Sequence, residues 1–187
     1  MSILRMGTVY MIIILTGDGK GKTTSAIGHA IRALGSGRRV ALFHFIKSPA
    51  WQTGEDVMLG QIQEWFKERF IHKKRGKGFV GILGDTLPRE EHIRAAEDAF
   101  EEARNILEAK EYDTVILDEI NVAVSLGLLE KEKVTELLKI LPEETDVILT
   151  GRGAHDDHIA LAHIVTECRE VKHHFQEGKK AKKGVEY

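Results

Sequence analysis

The stretch from Met11 to Thr24 constrains this chain more than any other, because it joins a strand, a glycine-rich turn and a helix start. It reads MIIILTGDGKGKTT. The apolar run Met11–Leu15 has the length of a buried strand. Glycines at every second position then allow a tight turn, and Lys22 and Thr23 open a helix. The N–H groups of such a turn and helix N-terminus form a cradle for phosphate.

The turn differs by one position from the common nucleotide-binding pattern G-x-x-x-x-G-K-[ST]. Thr16 stands in place of the first glycine, and counting from Gly17 leaves the loop one residue short. In that pattern the lysine neutralises phosphate, and the hydroxyl of Thr23 would bind Mg²⁺. The alternative is a glycine-rich turn that holds no ligand. Since the flanking strand and helix agree with the nucleotide chemistry, we predict a variant phosphate loop.

Composition excludes several classes of protein. The 187 residues suit a single domain spanning 1–187, with 42% hydrophobic and 30% charged residues. A net charge of −2 gives no general attraction to nucleic acid or to an anionic membrane. No apolar run is long enough to span a bilayer. The one cysteine, Cys168, fits a reducing compartment and a small buried apolar position in a strand, so we expect a cytoplasmic protein.

Strand-like and helix-like segments alternate along the chain, which is typical of an α/β fold with a mostly parallel central sheet. The predicted strands are Val9–Leu15, Val40–Ile46, Thr114–Leu117, Asp146–Thr150 and Ile164–Glu170. The predicted helices are Lys22–Leu34, Pro88–Lys110 and Lys131–Ile140. The segment Ser48–Thr86 is the least regular and carries both tryptophans, Trp51 and Trp65. Long excursions of this kind often contact substrate.

Two carboxylates follow the apolar run of the third predicted strand. Asp118 and Glu119 come directly after Val115–Leu117. At the carboxyl edge of a parallel sheet, such an acid can hold Mg²⁺ directly or through water. Neighbouring residues of a strand point to opposite faces, so we expect one of the two acids to reach the metal.

Two arginines and a histidine cluster are further candidates. Arg32, in the first predicted helix, reaches phosphate or ribose, or else lies in solvent, and the residues alone favour neither. Arg152 follows a strand between two glycines, where it would contact a phosphate or carboxylate, or anchor its own loop. The cluster His155, His158 and His163 invites a zinc site, but the acids between the first two also suit a helix N-terminus. A zinc site there is disfavoured.

Several stretches together resemble one family over nearly the whole chain. They are TGDGKGKTTSAIGHAIRALGSGRRV, FIK at Phe45–Lys47, LDEI at Leu117–Ile120, ILTGRGAH at Ile148–His155 and the C-terminal VKHHFQEGKKAKKGVEY. With these the chain resembles the P-loop family of ATP:cob(I)alamin (ATP:corrinoid) adenosyltransferases, in which the short glycine loop is usual. The resemblance implies a P-loop (RecA-like) three-layer fold and a homodimer that works with a flavoprotein reductase.

The resemblance also implies the chemistry and the roles of the site residues. Co(I) of a reduced corrinoid, cob(I)alamin, attacks the C5′ of ATP, and triphosphate leaves, so the protein needs no base. Lys22 and the loop backbone would hold phosphates, Thr23 with Asp118 or Glu119 would hold Mg²⁺, and Arg32 would contact the nucleotide. The predicted binding residues are Gly17, Asp18, Gly19, Lys20, Gly21, Lys22, Thr23, Thr24, Arg32, Phe79 and Arg152, with Thr23, Asp118 and Glu119 as metal ligands and Lys22 as the catalytic residue.

One position departs from the family pattern. Well-known members carry a Gly-Phe-Thr-Trp-like turn whose two aromatic residues lie against the corrin face and displace its lower axial ligand. Here the run is Gly-Phe-Val-Gly, with Phe79 kept and Gly81 in place of the tryptophan. Phe79 alone suffices, or Trp51, Trp65 or a partner subunit covers that face, or the corrinoid preference differs. The competing functions are a P-loop ATPase or switch, and a corrinoid-binding protein without catalysis.

Overall fold

The computed structural model describes residues 10–82, 84–173, 178 and 181–185. The strands are β1 (Ile12–Thr16), β2 (Val40–His44), β3 (Phe70–Lys74), β4 (Thr114–Asp118), β5 (Asp146–Thr150) and β6 (Ile164–Glu167). The helices among the described residues are α1 (Lys22–Gly35), α2 (Gly54–Phe66), α3 (Arg89–Ala109), α4 (Ile120–Ser125), α5 (Lys131–Lys139) and α6 (Asp156–Leu161), with a 3₁₀ turn at Lys67–Arg69. None of these helices is both long and apolar enough to cross a membrane.

The six strands form one parallel sheet in the order β3-β2-β4-β5-β1-β6. Strand β5 lies between β1, which leads into the glycine-rich turn, and β4, which ends in Asp118. Because all strands run the same way, their carboxyl ends meet at one edge of the sheet. The turn after β1 and the acids after β4 therefore share that edge, which is where open α/β sheets bind ligands.

Alternate residues of the central strands pack into two separate hydrophobic cores, one on each face of the sheet. The fold therefore has three layers, with helices on both sides of the sheet. On one face, Val115 and Leu117 of β4 pack with α3 and α5. On the other face, Ile116 of the same strand packs with α1 and with Leu59 of α2. Both faces are apolar, as expected of a parallel sheet covered by helices on both sides. The predicted fold class, an α/β P-loop-type fold with a parallel central sheet, is confirmed.

The longest helix follows the predicted amphipathic pattern. Ala96, Phe100, Ala103 and Leu107 are buried on one face of α3, and Ile93 is partly buried beside them. Pro88 occupies the N-cap position, and acidic residues fill the first turn, where they are favourable near the helix N-terminus. The helix prediction is therefore confirmed, with bounds shifted by a residue at each end.

The segment predicted to be least regular contains regular structure. It includes α2, β3 and the 3₁₀ turn. The start of α2 has a capping box, in which Asp56 accepts a hydrogen bond from the Thr53 N–H at 2.7 Å. Strand β3 was missed because it is an edge strand paired only with β2, so its second half, His-Lys-Lys, is polar.

The last predicted strand is shorter than expected. Strand β6 ends at Glu167, and its four residues are exposed because it pairs only with β1 at the sheet edge. Cys168 thus lies beyond the strand and is half-buried, which corrects the expectation of a buried strand residue. Strand β2 likewise ends at His44 rather than Ile46. Val9, the first residue of the first predicted strand, lies outside the described residues. The same holds for part of the C-terminal stretch quoted above, namely residues 174–177, 179–180 and 186–187.

Candidate active site

The glycine-rich turn is pressed against the chain that follows β6. Gly17 has a φ of +92°, and a Cβ there would lie 2.6 Å from the Cys168 carbonyl oxygen. The Gly19 N–H donates to the same oxygen at 2.6 Å, and a Cβ on Gly19 would lie 2.7 Å from backbone atoms of Cys168 and Arg169. Gly21, at a φ of +109°, caps α1 in the left-handed conformation. Gly17 and Gly21 therefore require glycine for their backbone conformation, and Gly19 requires it because neighbouring backbone leaves no room for a Cβ.

Lys22 lies inside the turn. The residue is only 7% exposed, and its ammonium donates to the carbonyl oxygens of Gly17 and Gly19 at 2.6 and 2.7 Å. Burial lowers the pKa of Lys22, while the negative charge of Glu119 opposes that shift and the positive charge of Arg152 adds to it. The side chain is thus a buried cation enclosed by its own loop, at the place where the loop would hold phosphate.

Asp118 joins the first turn of α1 to the end of the sheet. Its Oδ1 accepts hydrogen bonds from the hydroxyls of Thr23 at 2.9 Å and Thr150 at 2.7 Å. Its Oδ2 lies 2.6 Å from Nδ1 of His44 and 3.4 Å from Nζ of Lys47. Burial alone would raise the pKa of Asp118, but the hydrogen bond from His44 and the charge of Lys47 outweigh it and lower the pKa. Asp118 therefore stays ionised although no part of it is exposed.

Glu119 differs from its neighbour. It adopts a left-handed backbone conformation with a φ of +64°, and its N–H donates to the hydroxyl of Thr150 at 2.9 Å. Burial, followed by the negative charge of Asp118, raises the pKa of Glu119. Of the two predicted metal ligands, Asp118 is the one in contact with Thr23.

Arg152 comes back to the phosphate loop from the end of β5. Its Nη2 donates to the Asp18 carbonyl oxygen at 3.2 Å, and its Nε lies 3.9 Å from the Asp18 carboxylate. Gly151 before it has a φ of +126°, and a Cβ there would lie 2.9 Å from the backbone nitrogen of Val122. Gly153 after it also has a positive φ. The two glycines let the strand turn sharply enough to bring the guanidinium to the loop.

The remaining predicted nucleotide residues are less closely involved. Asp18, Lys20 and Thr24 are exposed around the loop and the first turn of α1. Arg32 is exposed in the last turn of α1, roughly three turns or 15 Å along the axis from Lys22. The structure thus does not bring Arg32 to the phosphate loop.

An aromatic pair lies in the loops outside the sheet edge. The rings of Phe79 and Trp51 meet edge to face, with centroids 6.2 Å apart and planes at 88°. Phe79 is 46% exposed and Trp51 is 62% exposed. Gly81 has a φ of +69°, and its N–H donates to the Asp85 carboxylate at 2.8 Å, which holds the turn. Trp51, not a residue at position 81, is therefore the second aromatic side chain beside Phe79.

Sequence reasoning missed three residues around Asp118, namely His44, Lys47 and Thr150. His44 and Thr150 end the strands on either side of β4, so a polar residue at the end of an apolar strand was the available signal.

In the histidine cluster for which a zinc site was disfavoured, two of the side chains have hydrogen-bond partners within the protein. His155 accepts the Asp157 N–H at 3.2 Å at the start of α6, and the buried His158 contacts the Lys131 carbonyl oxygen at 3.1 Å.

The fold and this edge define a P-loop-type nucleotide-binding protein. Its fold is similar to that of a solved KaiC-like protein, PH0186, from the archaeon Pyrococcus horikoshii OT3. The TM-score is 0.50 at 16% sequence identity, over 84% of this chain and 72% of the other. At that identity the likeness concerns the fold alone.

Sequence comparison narrows the class to a family. Residues 9–187 match the family described as ATP:corrinoid adenosyltransferase BtuR/CobO/CobP, and the chain belongs to this family. It is 38% identical to the corrinoid adenosyltransferase of Escherichia coli K12 over 95% of this chain and 85% of that protein. The corrinoid adenosyltransferase of Pseudomonas aeruginosa is also 38% identical, over 95% and 83% of the two chains. The family and enzyme class predicted from the sequence are confirmed.

Proposed function

We propose that this protein transfers the 5′-deoxyadenosyl group of ATP to the Co(I) of a reduced corrinoid. The cobalt supplies the electron pair of the new Co–C5′ bond, the C5′–O bond breaks, and its electron pair leaves with the triphosphate. One observation carries the proposal. In a chain of this family, the buried Lys22 in its glycine loop and the Thr23–Asp118 pair lie together at the ligand-binding edge of the sheet.

The protein's part in this reaction is to hold and neutralise the leaving group. Because the nucleophile is the reduced metal of the substrate, no side chain has to remove a proton. The ammonium of Lys22 is fixed in a buried, water-poor setting, where positive charge stabilises developing negative charge most strongly, and the loop supplies further N–H donors. Arg152 contacts the exposed part of the loop at Asp18 and adds a second cation there.

We also propose that Mg²⁺ binds between Thr23 and Asp118. Their oxygen atoms are 2.9 Å apart, and oxygen ligands are those that Mg²⁺ prefers. The ion would add positive charge beside the triphosphate. Asp118, whose pKa is lowered, is ionised more readily than Glu119, whose pKa is raised. Asp118→Asn should therefore raise the Mg²⁺ concentration needed for half-maximal activity, and Glu119→Gln should change it much less. A larger effect of Glu119→Gln would reassign the ligand.

The corrinoid half of the site is proposed to be the aromatic pair formed by Trp51 and Phe79. Two large rings that remain exposed beside the ligand-binding edge offer apolar surface to a flat macrocycle. Trp51 would thus take the place of the tryptophan that other family members carry where this chain has Gly81. Trp65, on the exposed side of α2, has no such partner ring among the described residues.

Four finer features remain proposals carried by the resemblance or the composition. They are a single domain over 1–187, a homodimer, a flavoprotein reductase that supplies the Co(I) state, and a cytoplasmic location. Sedimentation of the purified protein tests the dimer. Reduction of cob(II)alamin by a flavoprotein in the presence and absence of this protein tests the reductase.

The decisive experiment follows both products of one anaerobic incubation. Purified protein is mixed with ATP, Mg²⁺ and chemically reduced cobalamin, the corrin spectrum is recorded, and the nucleotide products are separated. The expected result is adenosylcobalamin with an equimolar amount of triphosphate. ADP and phosphate with an unchanged corrin would instead identify an ATPase, and binding of the corrinoid without reaction would identify a carrier.

A further inference from the structure

Three metal-ligating side chains converge beside the candidate active site. His44 ends β2, His72 lies in the neighbouring β3, and Asp56 lies in the first turn of α2. Leu42 pairs with His72 across the two strands, so His44, two residues further on, faces the same side of the sheet. One ligand atom from each of the three lies within 4.8 Å of the others. We call these three residues the His44 cluster.

The atoms that face one another in this cluster have no hydrogen-bond partner in the described part of the chain. They are Nε2 of His44, Oδ1 of Asp56 and Nε2 of His72, all buried. A buried polar atom left unpaired costs about 1–3 kcal/mol. Three such atoms within one small space indicate a shared ligand, and not three separate defects.

The other atoms of two of these side chains are already fixed by neighbours. Nδ1 of His44 contacts the Asp118 carboxylate at 2.6 Å, which places a proton on Nδ1 and leaves the lone pair of Nε2 for the cluster. Oδ2 of Asp56 accepts hydrogen bonds from the Thr53 N–H at 2.7 Å and from Lys74 at 2.8 Å. The free lone pairs of His44 and Asp56 thus cannot satisfy each other, because both are acceptors. A cation satisfies both.

We propose that the His44 cluster binds a divalent transition metal ion of the Zn²⁺ class. Two imidazole nitrogens and one carboxylate oxygen form a ligand set that zinc accepts and that Mg²⁺, which prefers oxygen, does not. Nε2 of His72 lies 3.8 Å from Oδ1 of Asp56. Ligands of a tetrahedral ion with bonds of about 2.0–2.1 Å lie roughly 3.3 Å apart, so a small side-chain movement completes the site.

This metal site would be linked to the nucleotide site through one side chain. His44 contacts Asp118 with one ring nitrogen and offers the other to the metal, an arrangement in which the carboxylate orients the imidazole. A bound ion would in turn hold His44, and through it the orientation of Asp118. Binding of the ion does not depend on adenosyl transfer, so it can be tested without measuring activity.

The test measures binding of Zn²⁺ to tag-free protein that has been stripped with chelator, in a large excess of Mg²⁺. Calorimetry should give one high-affinity Zn²⁺ per chain, and Co²⁺ should bind with the visible absorption of a nitrogen- and oxygen-ligated ion. His72→Gln and Asp56→Asn should each weaken Zn²⁺ binding by about tenfold or more, since even residues behind the ligands cost about 10–100-fold. The asparagine of Asp56→Asn keeps an oxygen that can accept the hydrogen bond from the Thr53 N–H at the start of α2. This variant should therefore remain folded even if His72→Gln does not.

Two matched variants separate this cluster from the other histidines. His29→Gln removes a half-buried histidine in α1, and His155→Gln removes one from the second histidine cluster. Both should bind Zn²⁺ as the unaltered protein does. The proposal is overturned if the unaltered protein binds no Zn²⁺ above the level of the His72→Gln variant, as expected if the cluster holds only water. It is equally overturned if His155→Gln, rather than His72→Gln, removes the binding.

Discussion

The phosphate-loop side of the site is buried and densely hydrogen-bonded, whereas its aromatic side is open to solvent. Lys22 and Asp118 are almost wholly inaccessible, and each has at least two polar partners from other residues. Trp51 and Phe79 are 62% and 46% exposed, and their rings meet edge to face. The first region has the preorganisation that charge stabilisation needs. The second has the adaptable apolar surface that a large, flat ligand needs.

This contrast divides the expected effects of mutation. Changes on the buried side should alter the chemical step or the stability of the fold. Changes on the open side should alter the affinity for the corrinoid and leave the fold intact. The four predictions below test that division, beginning with the largest expected effect.

Replacing the buried cation should abolish most of the activity. Lys22→Ala removes the positive charge beside the leaving triphosphate, and we expect adenosyl transfer to fall by about 100- to 1,000-fold. Initial rates at saturating ATP and cob(I)alamin measure the loss, and circular dichroism checks the fold. Lys139→Ala, at an exposed position in α5, is the matched control and should keep full activity. A Lys22→Ala variant with normal rates would show that the phosphate-loop assignment is wrong.

The His44 cluster, which lies on the buried side, should make stability depend on pH in metal-free protein. Burial lowers the pKa of His72 from 6.5 to about 4; the neighbouring His44 and the positive charges of Lys74 and Lys47 add to the shift, and Asp56 opposes it. A lowered histidine pKa means that the unfolded chain takes up protons first. The contribution of neutral His72 to the free energy of unfolding is therefore fully present above pH 6.5 and is lost as the pH drops towards 4. The expected loss is about 2–3 kcal/mol at pH 4.5.

Urea unfolding at pH 7 and pH 4.5, with chelator present, measures this loss. The His72→Gln variant lacks the titrating group, so its free energy of unfolding should fall less over the same interval. Comparing the two proteins removes the contribution of other titrating groups. Equal losses in both would show that His72 is not held in its neutral form by the fold.

The turn that carries Arg152 should tolerate no side chain at Gly151. Gly151→Ala places a Cβ 2.9 Å from the Val122 nitrogen at a φ of +126°, and we expect a loss of about 2 kcal/mol. The midpoint of thermal unfolding should fall by about 4–8 °C. Gly28→Ala, in the middle of α1 with nothing near the added Cβ, should instead raise stability by about 0.5–1 kcal/mol. The same sign for both variants would contradict the role given to the turn.

The smallest effects are expected on the open side. Trp51→Ala should raise the KM for the corrinoid by about three- to tenfold, the worth of one aromatic contact, while thermal stability stays unchanged. Phe79→Ala should reduce turnover more with cob(II)alamin plus reductant than with preformed cob(I)alamin. Trp65→Ala, which removes the other exposed tryptophan, is the control and should leave the KM unaltered. If Trp65→Ala matches Trp51→Ala, the aromatic pair is not the corrinoid surface.

The buried region was predictable because its signals are local. The run before Gly17 and the run before Asp118 are short, apolar and bounded by turn or polar residues, and they became β1 and β4. The Lys22–Thr23 motif predicted the kind of partner it would have, an acid at the end of another strand, without reference to the rest of the chain. Even so, the sequence left the choice between two acids open, because it does not reveal which one contacts Thr23.

The open region was less predictable for physical reasons. Helix α2 buries only Leu59 fully, so its apolar periodicity is weak, although its capping box was a readable signal. The contact between Trp51 and Phe79 joins two loops, and loop geometry is not encoded in a repeating pattern. His44 and His72 are separated by the whole of α2, so no spacing along the chain connects them.

The packing of the phosphate loop against Cys168 and Arg169 has a consequence for biosynthesis. Gly17 and Gly19 are among the first residues of the described fold, yet their backbone is shaped against Cys168 and Arg169, close to its end. A nascent chain displays the full glycine motif early, but Cys168 and Arg169, against which the motif packs, leave the ribosome much later. Contacts this distant in sequence form late and slowly. We therefore expect the loop to reach its phosphate-binding shape only after Cys168 and Arg169 have been synthesised and packed against it.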